Sequence, residues 1–365
     1  MRFVVMCSLV ATVVACAGPS APQAGTGGTP VVMDLAEAHP GAAAAIVSFS
    51  ARMRPGLRLH AATVTPDGLV AGSLLDARRL TRSLVLVDPR TGRATATLRE
   101  NPSDDPADGV RFRPVVADDR YVAWAETSFS DEDWKIMLHD RRSGRTRVVA
   151  DGSKWRSRCG IGLSPIFLAE GRLWFSACSP GPQGTPSVYS ADLAAPKPRL
   201  WRTATSLTGF GPAGRRFATL HTGDTWMPRG TVILDAEGQI VEHVPESGPR
   251  GLSAELSVWR NGEGMSGLRL RHGGRDWDLP HQPSSVEAAG PFAAWTTVPT
   301  AETPIPSIWL YDSRTATALR LSDTDNNAAF SLTQAHVLWT DSATHGEDGP
   351  RPETLHLLPL PALTS

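Results

Sequence analysis

Apolar and polar residues alternate along most of this chain in runs of five to eight, the period of a strand with one buried face. Five of these runs end the same way, in an Asp followed by a short polar turn and a second β-prone run. They are Leu84 to Asp88, Ile136 to Asp140, Val188 to Asp192, Val232 to Asp235 and Ile308 to Asp312. The successive Asp spacings are 52, 52, 43 and 77. The last gap is about twice a unit of ~40 residues. Gly and Pro (33 and 30 residues) fall mainly between the runs, as turns joining many short strands require. The single helical prospect is Ala36 to Ile46, interrupted at Pro40-Gly41.

Repetition at this period predicts an all-β β-propeller, a ring of four-stranded blades. Seven units can be read over 57–100, 110–150, 164–202, 206–244, 252–280, 284–321 and from 327 onward, with six as the alternative if the weak fifth unit is merged. Large rings recur on the second strands (Trp124, Trp174, Phe217, Trp259, Trp295, Trp339), where they are expected to fill the space between blades. Each strand-ending Asp is expected to cap its own turn. The seventh unit lacks an outermost strand. Val31 to Leu35 is expected to supply it, so that an N-terminal strand closes the ring and leaves no open edge.

The N-terminus reads as an export signal over 1–15. Arg2 precedes the apolar run Phe3 to Ala15, which is too short to span a membrane. Val13-Val14-Ala15-Cys16 resembles a bacterial lipobox, which implies a lipid on Cys16 and an extracytoplasmic protein held at the membrane by that lipid alone. Ordinary cleavage and secretion is the alternative. Residues 16–30 form the expected tether, a coil reaching about 20 Å, and 31–365 the single propeller domain. Cys159 and Cys178 remain as an even pair in an oxidising compartment. A disulfide between them would contribute about 3 kcal/mol, and two buried thiols are the alternative.

A net charge of −1 without a basic stripe argues against nucleic-acid binding. The long connections fall between second and third strands and between blades, hence on one face of the ring, and binding residues concentrate on such loops. The candidates there are Trp155, Arg156, Asp224, Trp226, Asp131, Asp133 and Trp134. The run Asp323 to Asn327 offers oxygens to calcium but lacks the Gly and distal Glu of a calcium loop, so no cofactor and no metal are expected.

The repeats resemble those of TolB-like and WD40-like bacterial propellers over about 55–360, in their third strands ending in Asp before a turn. The turns Asp88 to Arg93 and Asp140 to Arg145 also look like those of quinoprotein propellers. The matching docking positions read Ala96-Thr97 and Val148-Val149 instead of Trp. Neither a sialidase Asp-box nor the G-x-S-x-G of propeller-bearing peptidases is present. The resulting expectation is a monomeric, membrane-tethered, non-catalytic propeller that binds an envelope protein, peptide or glycan through its long-loop face. A hydrolase or lyase with carboxylates at the channel mouth is the alternative.

Overall fold

A computed structural model describes residues 25–364, apart from 102, 104–108, 128–133, 156–164, 181–183, 211–214, 222–227, 245–248, 254, 262–266, 280–282, 299–304, 324–329, 342–344, 347–348 and 351–353. It is an all-β ring of seven four-stranded antiparallel blades. The inner strands are Leu57–Val64, Arg111–Ala117, Ile166–Ala169, Thr205–Phe210, Pro249–Leu252, Pro283–Ala289 and Phe330–Leu332, and in blade one the short strand Arg52–Arg54 pairs on the inner edge at Leu57 and Arg58. Each of the seven touches the next around the ring, and Phe330–Leu332 meets Leu57–Val64 to complete the circle.

The repeated Asp does what its position in the turn dictates. Oδ1 of Asp88, Asp140 and Asp312 accepts the backbone N–H two residues on, from Arg90, Arg142 and Arg314, and Oδ1 of Asp235 accepts from Gln239. Each side chain thus supplies the acceptor that a tight turn otherwise lacks. In the fifth blade the turn between third and fourth strands is Gly273-Gly274, with φ of +56° and +75°. Two consecutive left-handed residues are what a two-residue hairpin demands.

The core lies in the seams between blades. One cluster joins blades one and two through Leu84, Phe112 and Trp124; another joins five and six through Val258, Trp295 and Trp309; a third joins six and seven through Phe292, Leu310 and Trp339. The expected seam rings Trp124, Trp174, Phe217, Trp295 and Trp339 are all buried. At Gly251 the inner strands of blades five and six approach so closely that a Cβ would lie 2.9 Å from the backbone N of Ala288.

The closing strand is not the one expected. Val47–Ser50 pairs antiparallel with Thr354–Pro359 as the outermost strand of blade seven. Val31–Asp34 instead adds in parallel to Thr317–Asp323 as a fifth strand of blade six, with Val31 61% exposed. Gly25–Gly28, inside the expected tether, adds in parallel to Arg275–Leu279 of blade five. Two short helices, Leu35–Ala38 and Pro40–Ala44, separate these strands and bury Leu35 and Ala42 between blades six and seven. Pro40 opens the second helix, where its missing N–H costs nothing.

The closing strand carries a polar clasp. Ser48 Oγ lies 2.8 Å from His356 Nδ1, and His356 Nε2 lies 2.7 Å from Asp341 Oδ2. The imidazole stacks on Trp339 with ring centroids 5.3 Å apart. Three strands contributed by opposite ends of the chain are linked through one side chain.

Candidate functional site: the central channel

The seven inner strands surround a channel of about 1110 Å³. These strands enter from the long-loop face, after each inter-blade connection, and leave at the short first-to-second-strand turns. Position along an inner strand therefore gives depth in the channel.

Blades one and two place a cationic pair in the wall. In Arg111–Ala117 the alternation buries Phe112 at 1% exposure and leaves Arg111 and Arg113 exposed. Arg113 lines the channel beside His60 of blade one. His60 is half-buried, and its imidazole is held below the usual histidine range, first by burial and then by the positive charges of Arg113 and Arg58. Arg113 has no carboxylate partner among the described residues.

The carboxylates that line the channel, Glu287 and Glu170, stand nearer the short-turn face. Glu287 of blade six is partly open to the channel and accepts a hydrogen bond from Leu332 N of blade seven at 2.6 Å. The protein packed around it pushes its pKa up to about 7, against the lowering effect of that bond. Glu170 occupies a turn with φ of +55° and is held by Arg216 at 2.8 Å. Arg216 itself is 2% exposed, with its guanidinium over Trp174 at 4.6 Å, Trp201 at 5.0 Å and Phe210 at 5.4 Å. The ion pair and the aromatic box fix both groups, so Glu170 is already charge-balanced.

The residues expected from the sequence lie elsewhere. Trp134 opens the third strand of blade two and is buried at 1%, which corrects the expectation of a surface contact there. Trp155 ends the short helix Gly152–Trp155 and packs edge-on to Trp134 at 5.3 Å and against Tyr189 at 4.8 Å. It covers the seam between blades two and three. Arg156, Asp131, Asp133, Asp224 and Trp226 lie outside the described residues, as do Cys16 and Cys159. Cys178 is buried at the end of Arg172–Cys178. In the oxygen-rich run, Asp323 contacts Arg320 and accepts from Ser307 Oγ at 3.2 Å, while Thr324 to Asn327 lie outside the described residues. No group of three or more His, Cys, Asp or Glu among the described residues is placed to share a metal ion.

Arg113, His60 and Glu287 were not singled out from the sequence. A signal existed: Arg111-Phe112-Arg113-Pro114 alternates two cations around one buried ring, and the Pro cannot donate to a ladder in a central strand. Innermost strands have one free edge, so a charged side chain there has a channel to face.

Fold and channel together define the class: a seven-bladed β-propeller with a channel of mixed apolar and polar lining that carries a few charged side chains. No family model matches the chain, and no curated protein sequence matches it. Solved structures do match. The chain is similar to the β-propeller domain of the Trilobed protease from Pyrococcus furiosus, with TM-score 0.55, 10% identity, and coverage of 84% of this chain and 94% of that one. It is similar to the acylaminoacyl peptidase of Pyrococcus horikoshii (TM-score 0.52, 12% identity, 84% and 52% covered) and to a prolyl endopeptidase (0.51, 11%, 88% and 48%). The chain spans about half the length of these two peptidases. At such identities the likeness establishes the fold and nothing further.

Proposed function

We propose that this protein is an exported, non-catalytic binding propeller, anchored to the membrane by a lipid on Cys16, that takes a protein, peptide or glycan partner at the long-loop face with the channel mouth as its centre. The observation that carries this reading is the open channel itself, walled by all seven inner strands and bearing an exposed Arg113 beside His60. A rigid ring holding polar side chains in a concave space is the usual form of a ligand site. The two described channel carboxylates are divided between blades three and six, and Glu170 is neutralised by Arg216, which weighs against a paired-carboxylate enzyme. The apolar run before Cys16 supports the anchor, and the even Cys159–Cys178 pair supports a disulfide formed after export.

Photo-crosslinking tests the reading. A photoreactive residue is placed at Ala62 in the channel wall, and separately at Arg145 on an outer turn, and each full-length protein is irradiated in the envelope of a bacterial host. Adducts found at position 62 and not at 145 are expected. Adducts at 145 alone, or equally at both, contradict it. The anchor is tested separately: a clickable palmitate label is expected on the wild type and absent from Cys16→Ser, and equal labelling of both contradicts it.

A further inference from the structure

The channel is charged differently at its two ends. The long-loop halves of the inner strands read Leu57 to His60, Arg111 to Pro114, Ile166-Phe167, Thr205 to Leu207, Pro249-Arg250, Pro283 to Val286 and Phe330-Ser331. These segments contain no Asp or Glu, and of their basic residues His60 and Arg113 line the cavity. The lining carboxylates stand toward the other end. Of these, Glu170 is paired with Arg216, and Glu287 lies two residues from the end of its strand. Among the inner-strand residues that line the cavity, the charged groups toward the long-loop face are thus Arg113 and His60, and the carboxylates stand toward the other end.

Within this end Arg113 is distinct. It is exposed in the channel wall, and no carboxylate pairs it among the described residues. Several buried or half-buried arginines of the ring are paired with carboxylates instead: Arg82 with Asp76, Arg216 with Glu170 and Arg271 with Asp276. A guanidinium fork presents donors matched to carboxylate or phosphate oxygens, and His60 adds a third donor or acceptor beside it. Field lines concentrate in a narrow protein-walled channel, so a few charges here act more strongly than the same charges on an open surface.

We propose that the long-loop half of the channel is an anion-binding site, in which Arg113, flanked by His60, grips the carboxylate or phosphate group of a ligand. This rests on the channel being the binding site. It adds the chemical class of what binds.

The test is isothermal titration of the purified full-length protein with citrate, inorganic phosphate and the neutral trisaccharide maltotriose as probes. One equivalent of citrate or of phosphate is expected to bind, and whichever binds identifies the anionic group. Arg113→Gln is expected to weaken that binding about ten-fold or more, and added sodium chloride to weaken it in the wild type. Arg145→Gln, on an outer turn, is expected to bind as the wild type does. Arg113→Gln that unfolds at the wild-type temperature yet binds the anion equally well overturns the assignment. So does binding of maltotriose alone, which leaves the channel as a binding site for a neutral ligand. Absence of binding by all three also overturns the anion site, while the crosslinking at Ala62 reports independently on whether the channel is used.

Discussion

The inner strands have two kinds of surroundings, and they obey opposite rules. In the seams, side chains such as Phe112, Val286 and Leu332 are buried against the next blade, in clusters that contain almost no charge. Along the channel, one residue away in the same strands, stand Arg113, which is exposed, and Glu287, which is partly buried, with the half-buried His60 on the neighbouring inner strand. Seams are where this protein gains its stability, since apolar burial there is extensive and continuous around the ring. The channel wall keeps charges whose hydrogen-bonding capacity is not used up by the fold. Packing residues and channel-lining charges are separated by a single step of the β alternation.

This contrast is broken most forcefully from the seam side. Trp295→Ala opens a large void between blades five and six, and a loss of about 3–5 kcal/mol in denaturant unfolding is expected. Gly251→Ala presses a methyl group onto the backbone at Ala288 and is expected to lower stability by about 1–3 kcal/mol in the same assay.

Glu287 sharpens the comparison from the channel side. Its folded pKa of about 7 lies above its ordinary value of 4.5, so the protonated form suits the folded state. Its contribution is therefore complete below about pH 4.5 and lost as pH rises through 7. With channel water screening the charge, unfolding free energy is expected to fall by about 1–2 kcal/mol across that window. Glu287→Gln flattens this slope, which urea titrations at several pH values measure.

At the clasp, His356→Ala removes both hydrogen bonds and the stacking on Trp339. The expected cost is about 1–2 kcal/mol, with faster hydrogen exchange confined to Val47–Ser50 and its partner strand. Arg113→Gln is expected to change stability by no more than about 0.5 kcal/mol.

The blades were legible because their signals are local. Alternation, a strand-ending Asp and a turn glycine each act within a few residues, and Asp140 caps its turn whatever lies across the ring. Ring closure was less legible. Val31 to Leu35 and Val47 to Ser50 are both short and β-prone, and nothing in either segment states which distant strand it will meet. The apolar Val31-Val32-Met33 looked the better core strand, yet it lies at 61%, 49% and 40% exposure on the rim of blade six. Trp155 and Trp134 misled for a related reason: a loop position says nothing about whether an indole folds back, and here each covers the other. The channel charges were overlooked because Arg-Phe-Arg-Pro reads as an ordinary exposed strand until the ring makes its free edge an interior wall.

The most direct measurement is a paired one on Arg113→Gln and the mild seam variant Trp295→Phe, following thermal unfolding and affinity for the anionic probe together. The account predicts that Trp295→Phe lowers the unfolding temperature with affinity unchanged, and that Arg113→Gln lowers affinity with the unfolding temperature unchanged. Loss of stability without loss of affinity in Arg113→Gln would make it one more packing residue, and the division between seam and channel would fail.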